Sequence, residues 1–336
     1  MQKFIKQTIP VCAAILVSLV VYQPTAQLQK SERPIDPSKN TKLANVLSYR
    51  AFKDPELVVI KGYAGNTLHP FVSRDGNYLF FSSDIAGGND IHYATRNNDG
   101  TFSYKQALVN INTTAIEISP TLDKNNQFYF VRKEKGTSQI YQGAFSLKAG
   151  GGILSLLLMD GVLPKSGTGC YDVEVSNDGK ELLYTEGEQD AKGQITEARI
   201  MVATNNEGKF QPNANETRRL MRTINEQLKD WDLKYGATLS TDELELFFTA
   251  ARKDGPPVIY QSIRSSARKP FGVPQRIISI EGYAEHPSLS PDGLTLYFHR
   301  KDGNVYRIYR TVREKRELPG FQAGAKDNRS LPTPER

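Results

Sequence analysis

The sequence predicts an all-β fold of repeated four-stranded antiparallel units, and three observations predict it. A strand–turn–strand phrase recurs five times along the 336 residues. Similar third and fourth strands follow most copies. Aromatic residues make up 10% of the chain, largely Tyr and Phe, which suits strands that stack face to face.

The clearest copy is His286-Pro-Ser-Leu-Ser-Pro-Asp-Gly-Leu-Thr-Leu-Tyr-Phe298. Its Pro291 presets φ and its Gly293 accepts a positive φ, so Ser290 to Gly293 is turn chemistry. Leu294, Leu296 and Phe298 then alternate with Thr295 and Tyr297, as a half-buried strand does. The nearest match is His69-Pro-Phe-Val-Ser-Arg-Asp-Gly-Asn-Tyr-Leu-Phe-Phe81. Three weaker copies run from Pro120, Val173 and Ala237. Counted from Pro70, Pro120, Val173, Ala237 and Pro287, the steps are 50, 53, 64 and 50 residues. A period of this size marks supersecondary units that cannot bury their faces alone.

Third strands are expected at residues 90–96, 139–144, 199–204, 258–263 and 305–310. Fourth strands are expected at 107–111, 154–158, 219–224 and 276–280. Four antiparallel strands repeated radially make a propeller blade. The fifth unit has no fourth strand after Arg310, whereas Glu56-Leu-Val-Val-Ile60 has that pattern and precedes the first unit. The expectation is therefore a single five-bladed propeller closed by an N-terminal strand, which removes an exposed edge. Six blades is the alternative, if the 64-residue step hides a degenerate unit.

The Ser290-Pro291-Asp292-Gly293 turn before the Leu296-Tyr297-Phe298 strand, with Gly87-Gly-Asn-Asp-Ile91 before a third strand, resembles the WD-like propeller repeats of TolB-type proteins. The resemblance covers residues 57–312. It implies a propeller and a role in cell-envelope interactions. Propellers of this kind serve as binding scaffolds and also host hydrolases and lyases.

Outside the repeats, Lys3 and Lys6 precede an apolar run from Ile9 to Tyr22. This reads as a signal peptide over 1–26, or an uncleaved anchor, and implies a periplasmic or secreted protein. Residues 27–55 read as a polar linker, 56–312 as the propeller and 313–336 as a disordered tail. Cleavage would remove Cys12 and leave Cys170, which cannot form an internal disulfide and reads as a buried, inert thiol. Forty-three basic against 37 acidic residues give +6, without a dense basic patch, so no nucleic-acid partner is expected. The only membrane contact expected is through an uncleaved anchor, and the expected state is a monomer.

Chemistry on a propeller gathers where the first strand of each blade approaches the axis. Alignment on the repeat places His69, Ser119, Asp172, Gly236 and His286 there, preceded by Leu68, Ile118, Tyr171, Tyr235 and Glu285. His69, Asp172, Glu285 and His286 are the catalytic candidates, as general acids and bases. His69, Asp172 and His286 are the candidates for a divalent metal, although no cofactor is required by any fingerprint. The competing structural reading is that His-Pro sets the strand's approach. Tyr171, Tyr235 and Trp231 are the ligand-contact candidates. Asp75, Asp178 and Asp292 read as turn formers rather than calcium ligands. His92 and His299 carry no assigned role. The functional expectation is a binding or scaffold module for an envelope protein, peptide or glycan. The alternative is a propeller hydrolase or metal-dependent polysaccharide lyase.

Overall fold

The computed structural model describes residues 49–84, 89–163, 168–190, 195–228, 231–252 and 255–315. The proposed signal segment, most of the linker and the tail beyond 315 lie outside the described residues. The chain opens with two short strands, β1 (Glu56–Leu57) and β2 (Ile60–Lys61). The first repeat unit is a meander of β3 (Leu68–Val72), β4 (Tyr78–Ser83), β5 (Asp90–Arg96) and β6 (Phe102–Ala107), with β2 parallel to β6. The second is β7 (Ile116–Leu122), β8 (Gln127–Glu134), β9 (Thr137–Ser146) and β10 (Gly152–Leu158).

The third unit is β11 (Thr168–Val175), β12 (Glu181–Gln189), β13 (Ile195–Asn206) and the short β14 (Lys209–Pro212), followed by helix α1 (Ala214–Gln227). The fourth is β15 (Leu233–Leu239), β16 (Glu245–Ala251), β17 (Val258–Ile263) and β18 (Gln275–Arg276). The fifth is β19 (Ala284–Leu289), β20 (Thr295–Asp302) and β21 (Val305–Val312). β1 pairs antiparallel with β21, Glu56 opposite Arg310 and Leu57 opposite Tyr309. One parallel contact, Ala198 to Leu233, joins the third and fourth units into a single eight-stranded sheet.

The turns between first and second strands repeat one hydrogen-bond scheme. Ser73, Ser176, Ser240 and Ser290 each donate through Oγ to the aspartate two residues on. Those aspartates accept from the backbone N–H groups of Asn77, Lys180, Leu244 and Leu294 at 3.0–3.1 Å. These carboxylates thus act on their own turns, as Asx geometry favours.

Among the described residues the buried apolar side chains form five clusters, each between neighbouring units. Phe71 and Phe80 of the first unit meet Phe128, Phe130 and Phe145 of the second. Val131 and Ile140 meet Val173 and Leu182; Leu183 and Val202 meet Leu246 and Phe248; Phe247 and Ile259 meet Leu296 and Phe298. Tyr297 and Ile308 of the fifth unit meet Val72 and Phe81 of the first. Each unit therefore buries one face against the unit before and the other against the unit after, so its core is shared with its neighbours. First strands pack in cyclic order, β3 on β7, β7 on β11, β11 on β15, β15 on β19 and β19 on β3.

Four sequence expectations differ from the structure. The fourth strand of the fourth unit is only Gln275–Arg276, so residues 277–280 of the expected 276–280 lie outside it. Residues 219–224 are helix, not a fourth strand. Leu220, Met221 and Ile224 lie on one buried face at helical spacing, and Asn213 caps the start by accepting from Glu216 N–H at 3.0 Å. The fourth strand of the first unit is 102–107, ahead of the expected 107–111. Pairing also runs past both drawn boundaries. Arg50 N–H donates to Glu314 O, Lys53 N–H to Val312 O, and Tyr49 bridges Lys315. Phe52 and Arg313, assigned by composition to linker and tail, are buried.

Candidate functional site

Every first strand carries the same irregularity. The pairing register shifts between Leu68 and Phe71, Ile118 and Thr121, Cys170 and Val173, Tyr235 and Thr238, and Glu285 and Ser288. A bulge at that point re-aims a side chain. His69, Ser119, Gly236 and His286 take φ of 47°, 54°, 56° and 53°. For the non-glycine residues that conformation costs about 1–3 kcal/mol each, so the surrounding packing must hold it. At Gly236 the reason for glycine is contact. A Cβ there would meet the His286 Cα and ring at 3.0–3.2 Å.

These bulges surround a cavity of about 30 Å³ lined by His69, Ser119, Asp172, Gly236 and His286 with their neighbours, room for a water or an ion. Asp172 joins three units across it. Its Oδ1 accepts from Ser119 Oγ at 2.6 Å and lies 2.8 Å from His286 Nε2, and its Oδ2 accepts from Gly236 N–H at 3.2 Å. The His69 ring stands edge-on to His286, with centroids 4.2 Å apart. Beside this group, Glu285 accepts from the Tyr235 hydroxyl and lies 3.0 Å from His299 Nε2. The His69 backbone N–H donates to His299 Nδ1 at 3.3 Å, which makes Nδ1 the acceptor and puts the ring proton on Nε2, facing Glu285. His286 Nδ1 is buried and finds no partner among the described residues.

No protein-family model and no curated protein matches the sequence. Solved structures do. A glycoside hydrolase structure gives a TM-score of 0.56 at 10% identity, covering 90% of this chain and 100% of that one. The catalytic domain of an α-L-arabinofuranosidase from Coprinopsis cinerea gives 0.50 at 12%, covering 79% and 97%. This chain is a β-propeller. TolB from Acinetobacter baumannii is also similar, with a TM-score of 0.43 at 14% identity. That match covers 74% of the propeller chain and 55% of TolB, so the chain spans about half the TolB length.

In the propeller, the candidates His69, Asp172, Glu285 and His286 are buried and near one another, with Tyr235 bonded to Glu285. Tyr171 is buried beside Gly169 and Gly187. Trp231 packs edge-on to Tyr260 at 5.6 Å and against the Arg252 guanidinium, in the cluster that holds α1. Cys170 is buried, and burial pushes its thiol up to about 12. His299 belongs to the axial group although the sequence reading gave it no role. The donors that come within 4.8 Å of each other are those of Glu285, His286 and His299, not His69, Asp172 and His286. A signal for His299 existed. It stands thirteen residues after His286, where three of the other four units place Ser82, Thr185 and Thr249, and a column so often polar on a buried strand faces the axis.

Below this layer Glu174 ties the units again. It accepts from Arg74 Nη2 at 3.0 Å, Thr121 Oγ1 at 2.8 Å, Thr238 Oγ1 at 3.2 Å and Leu239 N–H at 3.4 Å.

The axial groups titrate in opposite senses. Burial pushes His69 well below its ordinary value, and the neighbouring His286 and His299 push the same way. Burial also lowers His299, against the bond and charge of Glu285. For His286 burial acts downward, but the charge and hydrogen bond of Asp172 and the charge of Glu285 outweigh it, so the net direction is up. Stability from His286 is therefore present below about pH 6.5 and lost as pH rises through its raised native value. Stability from neutral His69 and His299 is present above about 6.5 and lost as pH falls. The urea midpoint should peak near neutral pH, and His286→Gln should flatten the alkaline decline up to pH 8. An alkaline decline unchanged in that variant would remove His286 as its cause.

Proposed function

We propose that the chain is an exported, single five-bladed propeller, closed by β1 on β21, that acts as a binding module for a protein partner. The cyclic packing of first strands and the apolar cluster shared by the fifth and first units support the closed five-bladed reading. The observation that carries the binding role is β10. This outermost strand of the second unit exposes Leu154, Leu157 and Leu158, and Leu147, Leu163 and Val109 are exposed in the neighbouring chain. An apolar strand of this kind at a sheet edge marks a contact surface, since natural edges normally carry charges.

The axis favours the same reading. Its carboxylates are engaged by protein donors from several units. The names of the carbohydrate-active structures above describe those proteins, and their likeness to this chain is one of fold. Among the described residues no helix is long and apolar enough to cross a membrane.

The test pairs two measurements. Purified protein should show neither hydrolysis nor β-elimination on a panel of plant and bacterial polysaccharides. Chemical cross-linking in intact cells should capture a discrete protein partner, lost in Leu157→Asp with an unchanged melting temperature. Turnover abolished by Glu285→Gln in a folded protein would replace this reading with the enzymatic one.

A further inference from the structure

We propose that Glu285, His286 and His299 form a binding site for a divalent transition-metal ion, beside the axial cavity and distinct from the partner surface on β10. Three independent features point to it. Two imidazoles and a carboxylate bring donor atoms within 4.8 Å of one another, and all three residues are buried. His286 Nδ1 is a buried nitrogen that no described group satisfies, although buried polar atoms are almost always paired. The other nitrogen of that ring, Nε2, is held 2.8 Å from Asp172 Oδ1. A metal-ligating histidine characteristically gives its second ring N–H to a carboxylate, which fixes the tautomer and leaves the first nitrogen's lone pair for the ion.

The surroundings complete the arrangement. Tyr235 donates to Glu285 and keeps that carboxylate oriented. His286 lines the axial cavity, which gives an ion a path from that side. The donor set of imidazole and carboxylate suits zinc or manganese better than calcium, which takes six to eight oxygens.

Binding has one identifiable local cost. His299 Nε2 now carries the proton that faces Glu285, so the ion must displace it. Neutral His299 has a single ring proton, which moves to Nδ1, opposite the His69 N–H, and the long 3.3 Å contact there is given up.

The test uses full-length protein stripped with chelator and reloaded with one metal at a time. Zinc should be retained at one equivalent after dialysis and should raise the melting temperature. Cobalt should give visible ligand-field bands of a nitrogen–oxygen site. Glu285→Gln and His286→Gln should lose both signals. Asp172→Asn, a positioning change, should weaken zinc binding by about 10–100-fold. His92→Gln, the one histidine outside the axial group, should bind as wild type. Circular dichroism checks that each variant is folded. Absence of stoichiometric zinc, manganese and cobalt from wild type overturns the proposal. So does wild-type affinity in folded His286→Gln. Neither result bears on the partner surface, which is read from Leu157→Asp.

Discussion

Replacing Arg313 with alanine is expected to cost about 3–5 kcal/mol of folding stability, because it strands a buried carboxylate. Arg313 forms a forked ion pair with Glu245, its Nη1 3.1 Å from Oε1 and its Nη2 on Oε2, and both side chains are buried. Its Nε donates to Gly293 O at 2.7 Å. The guanidinium also lies 3.8 Å from the Tyr49 ring centre and 4.8 Å from that of Phe52. One side chain thus holds the start of the described chain, its end and the fourth unit together. Arg313→Lys keeps the charge but not the fork, so it should fall between wild type and alanine. Urea unfolding reads both. A Glu245→Leu/Arg313→Met pair, which removes both charges, should recover much of the loss. An alanine variant with a wild-type midpoint would mean that the fork contributes nothing.

Glu174→Ala is expected to have a comparable effect through the axis. Its carboxylate is shared by Arg74 from the first unit, Thr121 from the second and Thr238 with Leu239 from the fourth. Removing it leaves the Arg74 guanidinium buried without its carboxylate, although bonds to Leu122 O and Val175 O remain. A loss of about 3–5 kcal/mol corresponds to a melting temperature lower by roughly 10 °C in a domain of this size. Arg74→Met in the same background should restore part of it. Scanning calorimetry decides, and a Glu174→Ala midpoint within 2 °C of wild type, about the shift of 1 kcal/mol or less, would sink the axial-lock argument.

Much of this was legible in the sequence because it repeats. Aligning the turns placed His69, Ser119, Asp172, Gly236 and His286 in one column, and the structure puts a bulge there in every unit. What repetition does not encode was harder to read. Arg74 occupies a turn position where the other copies carry Lys124, Asn177, Thr241 or Pro291, and its ion pair with Glu174 joins residues a hundred positions apart, which no local pattern encodes. Residues 219–224 read as a strand in the sequence because a short apolar run fits a strand or a helix. The asparagine cap at 213 and the spacing of Leu220, Met221 and Ile224 carried the deciding information. Arg313 looked like part of a polar tail because composition is blind to a partner 68 residues away.

The pairing of Glu56–Leu57 with β21 sets a timetable for biosynthesis. The ribosome releases the first strand on the order of 250 residues before its partner, which at 5–20 residues per second is tens of seconds. Throughout that interval Phe81 and Val72 of the nascent chain wait for Tyr297 and Ile308. Premature stop codons or slow translation in the last unit should therefore leave a sticky, protease-sensitive intermediate, whatever the quality of the four units already made.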